Sequence, residues 1–258
     1  MDGVGISATR IVDRIGGPEC WTIESDVHAL MLHEVGSYYR LETWLDGRRT
    51  SLGDPLPGEL WLAPAGRQYR ARAEGGAVRY IRVAIDPALL PIDASARPLA
   101  SHDDPAMAAL VRALADDDHS AAEPLLALLA AAIEGAPAAR ASVRTAHRID
   151  ALLPLIEAQI ETSLTVEGLA AEAGMSVNSL IAHFSRATGR TPRQYLLRQR
   201  LRRACWYLMN RPLSVAEIAF ATGFSSHAHL CTTFRNKLGQ SPGEWRARYA
   251  GVAIMEEE

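Results

Sequence analysis

Lysine is almost absent from this chain: Lys237 is the only one among 27 basic residues, a bias from which no function follows. Cysteine is scarce too. Cys20, Cys205 and Cys231 are too few and too widely spaced to form a disulfide framework, which points to a reducing cytosol and a cytoplasmic location. No apolar run reaches about 18 residues, and the N-terminus lacks a basic-then-apolar pattern, so neither a membrane partner nor export is expected. A length of 258 residues is ordinary for two domains.

Charge is unevenly shared. Residues 1–140 hold thirteen basic against twenty acidic residues, and residues 141–258 hold fourteen against ten, so the parts carry about −7 and +4 of a net −3. Positive charge gathered at one end is the footprint expected of an anionic polymer's binding site, beside an ordinary acidic domain.

The last third repeats itself. Leu164-Thr165-Val166-x2-Leu169-Ala170-x3-Gly174-Met175-Ser176 returns 49 residues later as Leu213-Ser214-Val215-x2-Ile218-Ala219-x3-Gly223-Phe224-Ser225. After one inserted residue the match resumes at a shift of 50, pairing Leu180, Phe184, Gly189, Pro192 and Tyr195 with Leu230, Phe234, Gly239, Pro242 and Trp245. A duplicated supersecondary unit fixes the architecture before any local reading. In each copy Thr165 or Ser214 can cap a helix start, and Ser214 with Glu217 has capping-box spacing. Gly174 and Gly223 fall where that helix must stop, in a left-handed conformation. Met175 and Phe224 dip into the core, and Ser176 or Ser225 can cap the next helix. Leu180 and Phe184, like Leu230 and Phe234, lie on one face of it. Two short helices joined by a glycine turn form the motif whose second helix enters the major groove of duplex DNA.

These residues, the bridging Thr191-Pro192-Arg193-Gln194-Tyr195-Leu196-Leu197-Arg198-Gln199-Arg200-Leu201, and the closing Gly239-Gln240-Ser241-Pro242-Gly243-Glu244-Trp245-Arg246 resemble an AraC-type transcription regulator. The resemblance covers about residues 145–250. It implies a domain in which a long helix holds two recognition helices in successive major grooves, with double-stranded DNA and RNA polymerase as partners. Pro192 suits a first helical turn, and no further Pro or Gly appears before Pro212, leaving about five turns.

With Leu180 and Phe184 buried, the first recognition helix exposes Asn178, Ser179, Ala182 and, at its margin, Ile181. The second exposes His227, Ala228, His229 and Thr232. The resemblance puts base contacts at Asn178, Ile181 and Ala182, then at Ala228, His229 and Thr232. Many family members carry arginine or glutamine at such points, and this chain does not. Asn can pair with adenine and small apolar groups can meet thymine methyls. Arg186, Arg190, Arg235 and Lys237, nearer the helix ends, suit phosphates.

Two other patterns carry little. Gly239-Gln240-Ser241-Pro242-Gly243 matches a hydrolase nucleophile elbow, but that turn needs a strand before the serine, and here a recognition helix precedes it. His227, His229 and Cys231 are spaced so that only His227 and Cys231 share a helix face, so no metal is expected.

The first 90 residues read as short strands at 27–35, 38–45, 48–52 and 78–85, with Asp46-Gly47 as a tight turn and a strand within 56–66. Such strands suggest a small barrel or jelly roll. Pro57-Gly58-Glu59-Leu60-Trp61-Leu62-Ala63-Pro64-Ala65-Gly66 resembles the cupin-type sensor domain often joined to this DNA-binding unit. The alternative is a cupin-type enzyme. With only His28 and His33 in the region and no H-x-H pair, neither a catalytic metal nor a cofactor is expected. A barrel interior could instead hold a small-molecule effector, with Trp44, Trp61, Tyr69 and Tyr80 as lining residues or simple core.

Residues 105–115 and 121–133 are Ala/Leu-rich and amphipathic, with Met107, Leu110, Val111 and Leu114 on one face and Leu125, Leu126, Leu128 and Leu129 on another. They could cover the barrel or pair with a second subunit, and the resemblance favours a homodimer. The expected organisation is α+β: a cupin-like β-barrel over 1–92, a helical dimerisation segment over 93–135, a linker over 136–146, and an all-α double helix-turn-helix domain over 147–250.

Overall fold

The computed structural model describes residues 5–50, 55–92, 99, 102–134, 143–162 and 164–249. They form two compact units, Met1–Ala138 and Ala139–Glu258. No helix among the described residues is long and apolar enough to cross a membrane.

The N-terminal unit is built on antiparallel strands β1 (Ile6–Ile15), β2 (Glu19–Ile23), β3 (His28–Leu45), β4 (Arg48–Thr50), β5 (Glu59–Ala63), β6 (Tyr69–Ile85) and β7 (His102–Asp103). Their order is β1-β6-β3-β5-β7, with β2 also paired to β6 and β4 to β3. Among the described residues β1 and β7 do not pair with each other, so this is an open sheet and not the closed barrel expected above. The two strands expected at 27–35 and 38–45 are one, β3, with a bulge between His33 and Val35. Asp46 and Gly47 turn with positive φ, 49° and 74°, into β4 as expected, although positions 51 and 52 lie outside the described residues.

Glycines let the two longest strands, which are paired along their length, approach closely. Gly36 of β3 has φ +99° and Gly76 of β6 has φ +137°. A β-carbon on Gly36 would overlap the Ala77 carbonyl, and one on Gly76 would overlap the Ser37 carbonyl. Only glycine permits that approach. The sheet also coils. Trp61 lies beside Met31, which pairs with Arg82 of β6, yet its ring stacks on Tyr69 at the other end of β6, centroids 4.9 Å apart. Thirteen residues of straight strand would span roughly 43 Å.

One face of this sheet carries the helices. Asp104 caps α1 (Pro105–Ala115), accepting from the amides of Ala106 (2.9 Å) and Met107 (3.0 Å). With α2 (Ala122–Glu134) it delivers Met107, Val111, Leu114, Leu125 and Leu129 into a core with Leu30, Leu32, Ile81, Val83 and Ile85. The apolar stripes of both helices are therefore covered by their own sheet. Truncating one such leucine to alanine typically costs about 2–5 kcal/mol. Residues 135–142, most of the expected linker, lie outside the described residues.

The C-terminal unit is helical: α3 (Val143–Ala158), α4 (Val166–Glu172), α5 (Val177–Thr188), α6 (Pro192–Asn210), α7 (Val215–Ala221), α8 (His227–Leu238) and α9 (Pro242–Tyr249). Helix α3 begins inside the stretch expected as linker. Ile149, Leu152, Ile156, Leu169, Leu180, Phe184 and Tyr195 form the core of the first half. Ile218, Phe224, Leu230, Phe234 and Trp245 are buried in the second.

Candidate nucleic-acid interface

Each helix-turn-helix is assembled from the same local parts. Thr165 starts α4 by accepting from the Gly168 amide at 3.1 Å. Ser214 starts α7 in a reciprocal box, its amide donating to Glu217 Oε2 (2.7 Å) and its hydroxyl accepting from the Glu217 amide (3.2 Å). The Ser214 hydroxyl and then the Ser214 amide, both beside the Glu217 carboxyl, hold it below the ordinary range. Gly174 and Gly223 then turn the chain at φ +60° and +74°.

The second turn departs from expectation. Helix α5 is capped by Ser176, whose Oγ accepts from the Ser179 amide at 3.3 Å, but α8 is capped by Ser226, accepting from the His229 amide at 3.1 Å. The residue inserted in the second copy lengthens the turn, so Ser225 is one position too early to cap. Its Oγ instead lies 3.0 Å from His229 Nδ1. With Ser176 matched to Ser226, Asn178, Ser179, Ile181 and Ala182 correspond to Ala228, His229, Cys231 and Thr232. Cys231 thus occupies the position of Ile181. Its spacing from His227 drew it only into a metal pair, although the shift of 50 that matches Leu180 to Leu230 also matches Ile181 to Cys231.

The cores beneath the two recognition helices match closely. Leu180, Phe184, Leu230 and Phe234 are all fully buried. Phe184 meets Tyr195 edge-to-face with centroids 5.5 Å apart and planes at 74°; Phe234 meets Trp245 at 5.5 Å and 79°. Their opposite faces are open. Asn178 and Ala182 are exposed, with Ser179 and Ile181 half-buried; His227, Ala228, His229 and Thr232 are exposed, with Cys231 half-buried. Cys231 Sγ lies 3.5 Å from His227 Nε2, but among the described residues no three His, Cys, Asp or Glu side chains are grouped to hold a metal ion.

Arg186, Arg235 and Lys237 are exposed, and Arg190 is half-buried just beyond α5, with its amide donating to Thr188 Oγ1 at 3.2 Å. Asn178, Ala182 and Arg186 recur every fourth residue, and Ala228, Thr232 and Arg235 at four and three. Each set therefore forms one exposed stripe ending in a cation.

Helix α6 joins the halves. Thr191 and Gln194 close a capping box at its start, the Thr191 amide donating to Gln194 Oε1 at 2.9 Å. Its 19 residues span roughly 28 Å. The helix packs on α3 and α5 and also on α7, α8 and α9. Arg200 of α6 donates from Nε to the Ile160 carbonyl (3.0 Å) and from Nη2 to the Thr162 carbonyl (2.7 Å). Burial lowers the pKa of its guanidinium.

The G-x-S-x-G sequence is a helix start and not a nucleophile elbow. Helix α8 precedes it, Ser241 donates its amide to Glu244 Oε2 (2.6 Å), and its hydroxyl accepts from the Glu244 amide (3.2 Å).

A helix-turn-helix domain family matches residues 169–248. The transcriptional regulator ArgR of Pseudomonas aeruginosa is 36% identical over 102 residues, 40% of this chain and 31% of that protein. The transcriptional activator NphR of Rhodococcus is 36% identical over 92 residues, 36% of this chain and 27% of that protein. The chain thus spans about a third or less of the length of these curated relatives. A solved regulator from Chromobacterium violaceum, described as containing an AraC-type DNA-binding domain, is 32% identical over 43% of this chain and all of that one, with a TM-score of 0.40. The C-terminal unit is an AraC-type DNA-binding domain. Within this AraC-type domain, arginine is absent from the exposed first turns of both recognition helices, where Asn178 and the pair His227 and His229 stand instead.

The N-terminal unit offers a different kind of site. Trp61, Tyr69 and Tyr80 line a cavity of about 110 Å³ together with Asp13, Trp21, Met31, His33 and Arg82 among others. Trp44 does not. Leu41, Thr43 and Leu45 point inward along β3, so strand alternation turns Trp44 outward, where the Arg70 guanidinium lies 5.6 Å from its ring centre. His28 and His33 serve the scaffold. His28 Nε2 donates to the Leu90 carbonyl (2.9 Å) while Nδ1 accepts from the Ala65 amide (2.8 Å), and His33 Nε2 donates to the Gly36 carbonyl (2.9 Å).

Proposed function

We propose that this chain is a sequence-specific, DNA-binding transcription regulator of the AraC type. One observation carries the reading: two matched helix-turn-helix units, each with an open recognition face, share the single helix α6. The matched relatives are transcription regulators and not enzymes. In this reading Asn178, Ile181, Ala182, Ala228, His229, Cys231 and Thr232 meet base edges in two successive major grooves. Ser179 and His227 flank them, and Arg186, Arg190, Arg235 and Lys237 meet phosphates.

The reading extends to the N-terminal unit as a cupin-like sensor whose cavity takes a small-molecule effector. The regulator works in the cytoplasm as a homodimer and meets RNA polymerase at its promoters. Because the main apolar stripes of α1 and α2 are covered by the sheet, pairing would use their outer residues, such as the half-buried Leu126, Leu128 and Ile133. Fluorescence anisotropy of the full chain on labelled duplexes, with unlabelled competitor, tests the central part. Tight binding to a subset of sequences is expected, and equal affinity for all duplexes, or none, would overturn it.

A further inference from the structure

The cavity of the N-terminal unit is lined mainly by apolar and aromatic groups, among them Trp21, Met31, Leu41, Trp61 and Val78. Against this wall stands a cation without a counter-charge. Arg82 Nε is buried and has no hydrogen-bond partner, and no carboxylate is paired with Arg82 among the described residues. A buried, unsatisfied guanidinium N–H is costly to keep, and its planar donor fork fits a carboxylate.

The other ionisable groups of the lining are engaged differently. The Asp13 carboxylate accepts from the Tyr38 hydroxyl at 2.9 Å, and His33 donates to the Gly36 carbonyl. Tyr69 stacks on Trp61. Tyr80 stands between Asp13 and Arg82 in register, since Asp13, Ile11 and Thr9 of β1 lie opposite Val78, Tyr80 and Arg82. Burial first, then the charge of Asp13, push the Tyr80 phenol above its ordinary pKa, so it is a neutral donor at physiological pH. Asp13 and Arg82 are thus separated along the strand by four residues, roughly 13 Å, and an anion at Arg82 is held away from the acid.

We propose that this cavity binds a small apolar monocarboxylate, its carboxylate on Arg82 and its hydrocarbon body against Met31, Trp61 and Tyr69. This rests on reading the cavity as the effector site. A volume of about 110 Å³ is about three-quarters of the roughly 150 Å³ of an engineered cavity that takes benzene, so a hydrocarbon body of about four carbons fits.

The test is calorimetric titration of the full chain with valerate and isovalerate, beside valeramide and pentylamine. The acids are expected to bind about ten to a hundred times more tightly than the amide, the usual contribution of a charge-assisted bond. Arg82→Gln should abolish that preference and Arg82→Lys should keep part of it. Should R82Q fail to fold, the unsubstituted chain still decides: equal affinity for acid and amide, or tighter binding of the amine, overturns the proposal. Duplex binding is followed in the same samples. Acid binding that leaves DNA affinity unchanged would support the site and overturn its role as effector site. Intact DNA binding with no acid bound at millimolar concentration would overturn the site alone.

Discussion

Gly223, in the turn of the second helix-turn-helix, lies against the carbonyl oxygen of Ile160 with no room between them for a β-carbon. Arg200 donates to that same carbonyl at 3.0 Å, and a β-carbon on Gly223 would come within 2.8 Å of Arg200 Nε. A loop of the first half, the bridging helix and the turn of the second half thus meet at one point. Their contact ties the two halves of the C-terminal unit together beside α6.

This contact separates two glycines that look equivalent in sequence. Gly174→Ala meets nothing within 4 Å and carries only the strain of φ +60°, about 1–2 kcal/mol. Gly223→Ala adds overlap with backbone and should cost more than about 3 kcal/mol. Chemical denaturation of both variants checks this; equal losses would mean that the joint has room to give.

Changing Arg186, Arg235 or Lys237 to alanine should weaken binding to all duplexes alike and flatten the salt dependence by about one unit per lost phosphate contact. A loss confined to certain sequences, measured by anisotropy over a salt series, would identify that residue as a base reader. Arg235 is the sharpest case because it shares a stripe with Ala228 and Thr232.

Asn178→Ala should relax discrimination at one position of the first half-site by about 1–3 kcal/mol while leaving the salt slope unchanged. Competition with duplexes altered base by base measures it. A changed slope with intact discrimination would move Asn178 to the backbone contacts.

His28 ties stability to pH. Burial, opposed by its bond to the Leu90 carbonyl and the charge of Asp86, lowers its pKa from the ordinary 6.5. The unfolded chain therefore binds the proton more readily than the folded one, so stability is complete above 6.5 and falls as the pH drops below it. Protonation would also leave Nδ1 unable to accept from Ala65. Denaturation of the chain at about pH 7.5 and about pH 5.5 should show the loss, and His28→Gln should be weaker at both but less sensitive to the change. An unaltered pH difference in the variant would assign it to other groups.

The helical half was legible because its signals are local: caps, glycine turns and a repeat spacing that any two copies must share. The departure at the second cap, Ser226 in place of Ser225, came from a turn that differs by a residue between copies. The sheet was less legible. Strand β1 alternates weakly because Arg10, Asp13 and Arg14 sit among its apolar residues, and Arg10 reaches Asp116 at 2.8 Å, a partner 106 positions away. Strands β3 and β6 coil and come close at Gly36 and Gly76, a tertiary event that no window of a few residues reports. For the same reason Arg82, which shares a face of β6 with Tyr80, became visible as part of a cavity only once the strands were folded.

One chain is proposed to read two DNA segments at a separation set by α6, and sequencing the duplexes that the full chain retains from a random pool is the test. Two short motifs about one helical turn, roughly 10 bp, apart are expected for each chain bound. Inserting about half a turn between them should abolish tight binding. A pool without enrichment, or a site whose affinity survives that insertion, would contradict the proposal.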